Sequence, residues 1–140
     1  MTSHQDNQKK LEQLKLKITN IAAALHEGLV GREEVIKVAL LGVLSRENTI
    51  LFGPPGTAKS EIARRISKVI GNGYFEYLLT KFTTPEEIFG PLSIAKLKQD
   101  QFERNTQGFL PTAQIGFLDE IFKANSSILN TLLTILNERI

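Results

Sequence analysis

Between an apolar run and an amphipathic segment the chain reads Gly53-Pro54-Pro55-Gly56-Thr57-Ala58-Lys59-Ser60, and no other stretch limits its folding so tightly. Two prolines and two glycines end any regular element that enters, so the backbone must turn here. Residues 49–52 before the turn are apolar and β-prone without alternation, which predicts a short strand buried on both faces. After it, Ile62, Ile66, Val69 and Ile70 recur at helical spacing, and Gly71-Asn72-Gly73 stops that helix. A glycine-rich turn that leaves a strand and closes at a helix N-terminus gathers free N–H groups and the positive end of the helix dipole on one anion. In that setting the Lys59 ammonium reaches the outer phosphates of a polyphosphate and the Ser60 hydroxyl ligates Mg²⁺. The usual pattern has glycine before the lysine. Ala58 is expected to be tolerated there, because the start of a helix requires neither a positive φ nor close approach of the ligand to Cα. The plainer reading of the loop is a turn that only joins strand to helix.

The rest of the pattern alternates helices with strands. Leu11, Leu14, Ile18, Ile21, Ala22 and Leu25 predict an amphipathic helix over residues 9–26, ended by Gly28, and a second helix over residues 32–44 carries Glu33 and Glu34 in its first turn. Both helices are expected to face a core. Residues 74–79 read as a strand. Thr84-Pro85-Glu86-Glu87 has the form of a capping box with proline at the first helical position, opening a helix that Gly90-Pro91 cuts short. A small hairpin is expected over residues 93–107. Residues 115–118 read as a third strand, followed by a helix capped by Asn125-Ser126 with Ile128, Leu129, Leu132, Leu133 and Leu136 as its buried stripe. Such alternation predicts an α/β fold with a parallel sheet.

The second motif, Ile115-Gly116-Phe117-Leu118-Asp119-Glu120, sets two carboxylates at the C-terminal end of a strand, the edge at which parallel sheets hold ligands. Asp119 suits the Mg²⁺ shell. Glu120 suits a general base that orients and deprotonates an attacking water. Standing alone, the pair would be the acidic first turn of a helix.

Composition serves mainly to exclude. With no cysteine and two histidines, His4 and His26, the 140 residues offer no disulfide, no thiolate nucleophile and too few ligands for zinc, and both histidines are expected on a helix surface or in a tail. A net charge of +2 gives no reason to expect nucleic acid or a membrane surface, and the apolar stretches are too short to span a bilayer, so a cytoplasmic location is expected. Arg64 and Arg65 fall on exposed helix faces with a structural role expected. Arg139 reads as a solvated helix end or a residue at a subunit boundary.

At "GLVGREEVI", "GPPGTAKSEIARR", "FTTPEEIFGPLS" and "GFLPTAQIGFLDEIFKANSSILNTLLTILNER" the sequence resembles the AAA+ ATPases, and among them the MoxR family in its RavA-like branch. The resemblance covers nearly everything after Gly28 and implies a P-loop NTPase fold, three-layer αβα with a parallel sheet. It implies residues 1–27 as an N-terminal helical arm and residues 28–140 as the N-terminal portion of the ATPase domain. It also implies ATP and Mg²⁺ as cofactors, with Gly53, Pro54, Pro55, Gly56, Thr57, Ala58, Lys59 and Ser60 on the phosphates and Val30 and Gly31 against adenine. Ser60 and Asp119 become the metal ligands, and Glu120 and Lys59 the catalytic pair. A homo-hexameric, chaperone-like remodelling machine is implied, with a von Willebrand A domain protein as possible partner, and the hairpin becomes an insert facing the central pore. In the family's strand order 5-1-4-3-2, the strand between the loop strand and the Asp119 strand comes later than residue 140. The chain is therefore expected to stop before the fourth core strand, the sensor, the arginine finger and the helical lid, and to hydrolyse ATP weakly or not at all by itself. The alternative is a nucleotide-binding but catalytically inert fragment. A kinase or GTPase reading is disfavoured by Glu120 and by the lack of an Asp-x-x-Gly element after a strand.

Overall fold

The computed structural model describes residues 2–71 and 73–138, the side chains of residues 2–5 and 137–138 excepted. Asn72 and Arg139, both singled out above, lie outside the described residues. The chain divides into two compact units, Met1–Val69 and Ile70–Ile140.

The first unit is helical. Helix α1 spans Thr2–His26 and α2 spans Glu33–Ser45, and the two pack together. Gly28 adopts a left-handed φ of 72° and the Leu29 N–H reaches back to the His26 carbonyl at 2.9 Å, which closes α1 where the sequence places its end. Ile36, Ala39 and Leu40 of α2 are buried, as is Leu25 of α1. Leu11, Leu14 and Ile18 are not: they are 53%, 55% and 43% exposed, so the predicted core face of α1 is covered only near its C-terminal end. His26 is half-buried, not on the surface. Helix α3 spans Lys59–Ile70, with Ile62, Ala63 and Ile66 buried. The strand expected over residues 49–52 is absent from the described elements. That segment is irregular, with Ile50 75% and Phe52 93% exposed, because a β-strand is defined by ladder hydrogen bonds and these residues pair with no neighbouring strand among the described residues.

The second unit holds a two-stranded parallel sheet. Strand β1, Tyr74–Leu78, pairs with β2, Ile115–Asp119, in the register Tyr74↔Ile115 to Leu78↔Asp119. Parallel neighbours require a long crossover. This one carries α4 (Pro85–Phe89), α5 (Ile94–Leu97) and a 3₁₀ turn over Leu110–Thr112. After β2 come a second 3₁₀ turn, Ile121–Lys123, and α6, Ser126–Glu138. Leu79, Ile88, Phe89, Ile128 and Leu132 form the core, with Phe75, Tyr77, Leu118 and Ile135 packed against it. Leu133 and Leu136, expected in the buried stripe of α6, are exposed, because the i, i+4, i+7 set that meets the core is Ile128, Leu132 and Ile135.

The expected hairpin is present as two arms joined by a helical turn. Leu92 and Arg104 form an antiparallel bridge, with Ser93 N–H donating to Glu103 O at 2.8 Å and Asn105 N–H to Pro91 O at 2.8 Å, while α5 replaces the first part of the inner loop. Ser93 caps that turn, which is why helix wins there. The arms close over Gly90, whose φ is 89° and whose carbonyl accepts from the Arg104 guanidinium at 2.7 Å. A Cβ at Gly90 would run into the Asn105 carbonyl. Gly90→Ala is therefore expected to destabilise the protein by about 2 kcal/mol or more in urea unfolding, strain and clash together, whereas Gly108→Ala, with the same sign of φ and open space around it, should cost about 1 kcal/mol.

The capping box of α4 is formed as read: the Glu87 carboxylate accepts from the Thr84 N–H at 2.7 Å. That bond, and then the Tyr77 hydroxyl, hold the Glu87 carboxyl below its ordinary 4.5. A depressed folded-state value stabilises the fold above the unfolded value and is lost as pH falls through the folded one. Urea midpoints of the wild type should thus drop from pH 5.5 to pH 3.5 by more than those of Glu87→Gln; parallel pH profiles would contradict the assignment.

Candidate functional site

The glycine-rich loop lies in the first unit and the acidic pair in the second. Within the loop, Gly56 takes a left-handed φ of 77° and Ala58 one of 59°. The latter corrects the expectation that Ala58 needs no positive φ. Ala58 is the last residue before α3, and its carbonyl already accepts the Ile62 N–H at 3.0 Å, so the sharp turn into the helix falls on this residue and forces the left-handed region upon it. An L-residue there carries a penalty of about 1–2 kcal/mol.

The Lys59 side chain folds back across the loop. Its ammonium donates to the Gly53 and Pro54 carbonyls at 3.0 and 3.1 Å and to Thr57 Oγ1 at 3.5 Å, and Thr57 Oγ1 in turn donates to Pro54 O at 2.9 Å. The positive charge is thereby held against the loop by neutral carbonyls. Phosphate oxygens bring an opposite charge that neutral carbonyls lack, so an anion can recruit the lysine from them. The first N–H groups of α3, from Lys59 onward, lack intrahelical acceptors by position. Ser60 is half-buried in that first turn. Val30 and Gly31 sit in the turn between α1 and α2, Val30 94% exposed and Gly31 at a φ of 68°.

Arg65 supplies a contact that spacing did not reveal. Its guanidinium donates to the carbonyls of Leu25 (3.3 Å) and Glu27, and to the Glu61 carboxylate at 2.8 Å. The Glu61 carboxyl is held below its usual value, chiefly by that bond. The expected structural role is present, but on a partly buried side chain that ties the helix after the loop to the end of α1.

In the second unit the acidic pair ends β2. Asp119 is the last ladder residue and its carbonyl accepts the Leu79 N–H at 2.9 Å; its Oδ1 accepts the Glu120 N–H at 2.9 Å. Glu120 itself is left-handed, with φ 55° and ψ 40°, and its carboxylate lies 3.3 Å from the Lys123 ammonium. A glutamate in this region is uncommon and strained. Around the same sheet edge, Thr80 and Thr83 close a turn, the Thr80 N–H donating to Thr83 Oγ1 at 2.9 Å. Asn125 spans it: Oδ1 accepts the Ile128 N–H at 3.0 Å as the cap of α6, while Nδ2 donates to Thr83 O at 2.8 Å. The cap was readable in sequence; the tether was not, since its acceptor is 42 residues away.

Comparison with known proteins places the chain. Residues 16–140 match the model of the MoxR domain in the MoxR-vWA-beta-propeller ternary systems, and the chain belongs to the MoxR family of AAA+ proteins. It is similar to an uncharacterised protein of Methanocaldococcus jannaschii, 54% identical over 125 residues that make up 89% of this chain and 33% of that one. A structural protein of Acidianus two-tailed virus is 34% identical over an alignment of 142 positions that covers 98% of this chain and 23% of the viral one. Chaperone MoxR1 of Mycobacterium tuberculosis is 27% identical over 111 residues, 79% of this chain and 29% of its own. The chain thus spans a third or less of the length of these relatives. Its α/β second unit with a small parallel sheet is compatible with part of an AAA+ core. Among the described residues no helix is long and apolar enough to cross a membrane.

Replacing Ala58 by glycine removes the left-handed penalty against a smaller entropic loss, so Ala58→Gly is expected to stabilise by about 0.5–1 kcal/mol in urea unfolding. Ala58→Val should destabilise by more than that; the reverse order would show that residue 58 is not left-handed in solution.

Proposed function

We propose that this chain is the nucleotide-binding part of a MoxR-type ATPase that couples ATP hydrolysis to remodelling of other proteins. The observation that carries the reading is the Lys59 ammonium held across a turn that opens directly into α3, a cation and helix N-terminus assembled by eight consecutive residues. Residues 53–60 cradle the phosphates, with main-chain N–H groups from the loop residues other than Pro54 and Pro55, and Lys59 exchanges loop carbonyls for phosphate oxygens as the ligand arrives. Val30 and Gly31 take the base side of the nucleotide.

The oxygen donors fit Mg²⁺. The metal takes one or two protein ligands beside substrate phosphates, and the Ser60 hydroxyl and Asp119 carboxylate are hard ligands of that kind. Among the described residues no cluster of three or more His, Cys, Asp or Glu side chains offers a competing metal cage. Bound Mg²⁺ would neutralise charge developing on the transferred phosphoryl group. Asp119, fixed by the Leu79 N–H at its carbonyl, presents its second carboxylate oxygen while the first holds the Glu120 N–H. Glu120 orients a water and accepts its proton once its carboxylate leaves the Lys123 ammonium.

The family model's description, a MoxR domain working with vWA and β-propeller proteins, supports a vWA-domain partner, and the family supports a homo-hexamer. MoxR1's description as a chaperone supports the remodelling role. The RavA-like placement rests on the resemblance of the four sequence stretches quoted above.

A fluorescent ATP analogue titrated into the chain with Mg²⁺ should bind, and Lys59→Ala should weaken it at least about tenfold. Glu120→Gln should keep affinity within about threefold while lowering turnover of the assembled protein by about 10²–10⁴. Equal, negligible affinity in wild type and Lys59→Ala would end the nucleotide reading; binding without any turnover in the full-length protein would favour an inert binding module.

A further inference from the structure

The apolar positions of α1 follow a stricter period than an ordinary surface helix. Leu11, Leu14, Ile18, Ile21 and Leu25 alternate in steps of three and four, the a and d positions of a heptad repeat, with Leu16 off that line. At the C-terminal end the line enters the first unit's core at Leu25, 1% exposed. Toward the N-terminus it emerges, and Leu11, Leu14 and Ile18 stand about half exposed. The model of the family begins to match at residue 16, so the first two leucines lie ahead of the shared domain.

Charge decides what such a seam accepts. With Leu11 at a, Lys10 and Lys17 occupy g positions and Lys15 an e position, and Gln8 is the remaining flank of that stretch. Lys10, Gln13, Leu14 and Lys17 lie together along one exposed side of the helix. A second copy of α1 would bring lysine against lysine: in parallel pairing Lys10 meets Lys15, and in antiparallel pairing g meets g and e meets e. Self-pairing is therefore opposed in both orientations. A bilayer surface fits less well, since interfacial helices present a broad apolar face with aromatic residues, and this stripe is narrow and contains none.

We propose that the N-terminal half of α1 is a docking strip for an amphipathic helix of a partner protein, one with leucine or isoleucine at its own a and d positions and glutamate or aspartate at e and g. The inference stands independently of the nucleotide site. The partner helix continues the seam outward from Leu25, covering Ile18, Leu14 and Leu11, and its carboxylates meet Lys10, Lys15 and Lys17.

The test uses the intact chain and two designed four-heptad peptides that share Leu and Ile at a and d and differ only in carrying Glu or Lys at e and g. The acidic peptide should bind in the micromolar range by fluorescence anisotropy and the basic peptide at least about tenfold more weakly. The triple variant Lys10→Glu, Lys15→Glu, Lys17→Glu touches only exposed side chains and should reverse that preference, while Leu14→Glu should weaken both peptides. Failure of the triple variant to exchange the preference, equal binding of the two peptides, or no binding of either overturns the proposal. So does a concentration-dependent dimer in sedimentation that Leu14→Glu abolishes, which would make a second copy the occupant, or co-sedimentation with phosphatidylserine vesicles that exceeds peptide binding, which would make it a membrane.

Discussion

Parallel pairing of β1 with β2 is the constraint on which the acidic end of the chain depends. Parallel strands cannot be joined by a tight turn, so the intervening segment must travel the length of the sheet and return, and everything in it must find a place on the way. Here α4 lays Ile88 and Phe89 into the core, and the arms after it close over Gly90 through Arg104. The ladder then runs to its last residue: Leu79 N–H on the Asp119 carbonyl fixes where β2 stops. The position of both carboxylates is thus a consequence of register, and a one-residue slip would turn Asp119 to the other face of the sheet.

The first unit solves a different problem. A helix that ends beside a turn leaves carbonyls without donors, and those of Leu25 and Glu27 are met by Arg65, which belongs to the helix following the loop. One guanidinium so joins the end of α1 to α3, a turn and a half beyond Lys59. Glu61 holds the same guanidinium from within α3, which keeps the fork directed. Lys59 does locally for the loop what Arg65 does over distance, binding the Gly53 and Pro54 carbonyls while its charge remains available for exchange.

Local rules were legible in the sequence wherever the deciding partner lay within a few residues. The C-terminal ends of α1 and α4, the capping box at Thr84, the Asn125 cap and both strands of the sheet follow from spacing and turn chemistry, and the structure has them, whereas α1 begins at Thr2 and not near residue 9 as its apolar spacing predicts. Features set by distant partners were not. Residues 49–52 have the composition of a strand, but ladder bonds come from a neighbour and no composition supplies one. Leu133 and Leu136 satisfy helical periodicity as well as Ile135 does, and only the position of the core selects among them. The Arg65 and Asn125 tethers reach 38 to 42 residues away, beyond any local signal. For the site, the residue types of the loop and of the acidic pair were readable, whereas the conformations of Ala58 and Glu120 required coordinates.

Those two conformations share a logic. Among the described non-glycine residues with positive φ, Arg46 ends a helix and Asp100 lies between the two arms of the hairpin, places where a left-handed residue is ordinary chain closure. Ala58 and Glu120 differ, because each stands immediately before a helical turn, α3 in one case and Ile121–Lys123 in the other. A single left-handed residue at that point turns the chain sharply into the helical turn that follows. At Ala58 this lets Lys59 turn back over the carbonyls of its own loop; at Glu120 it lets the Glu120 N–H fold onto the carboxylate of Asp119. Each strain of about 1–2 kcal/mol is held by its local hydrogen bonds, and in each case the strained residue directs a charged side chain at the end of an element. Glycine at either position would avoid the left-handed penalty at a smaller entropic cost. Alanine before the lysine keeps the loop stiffer than glycine would, and glutamate after the aspartate keeps a carboxylate where a glycine would leave none.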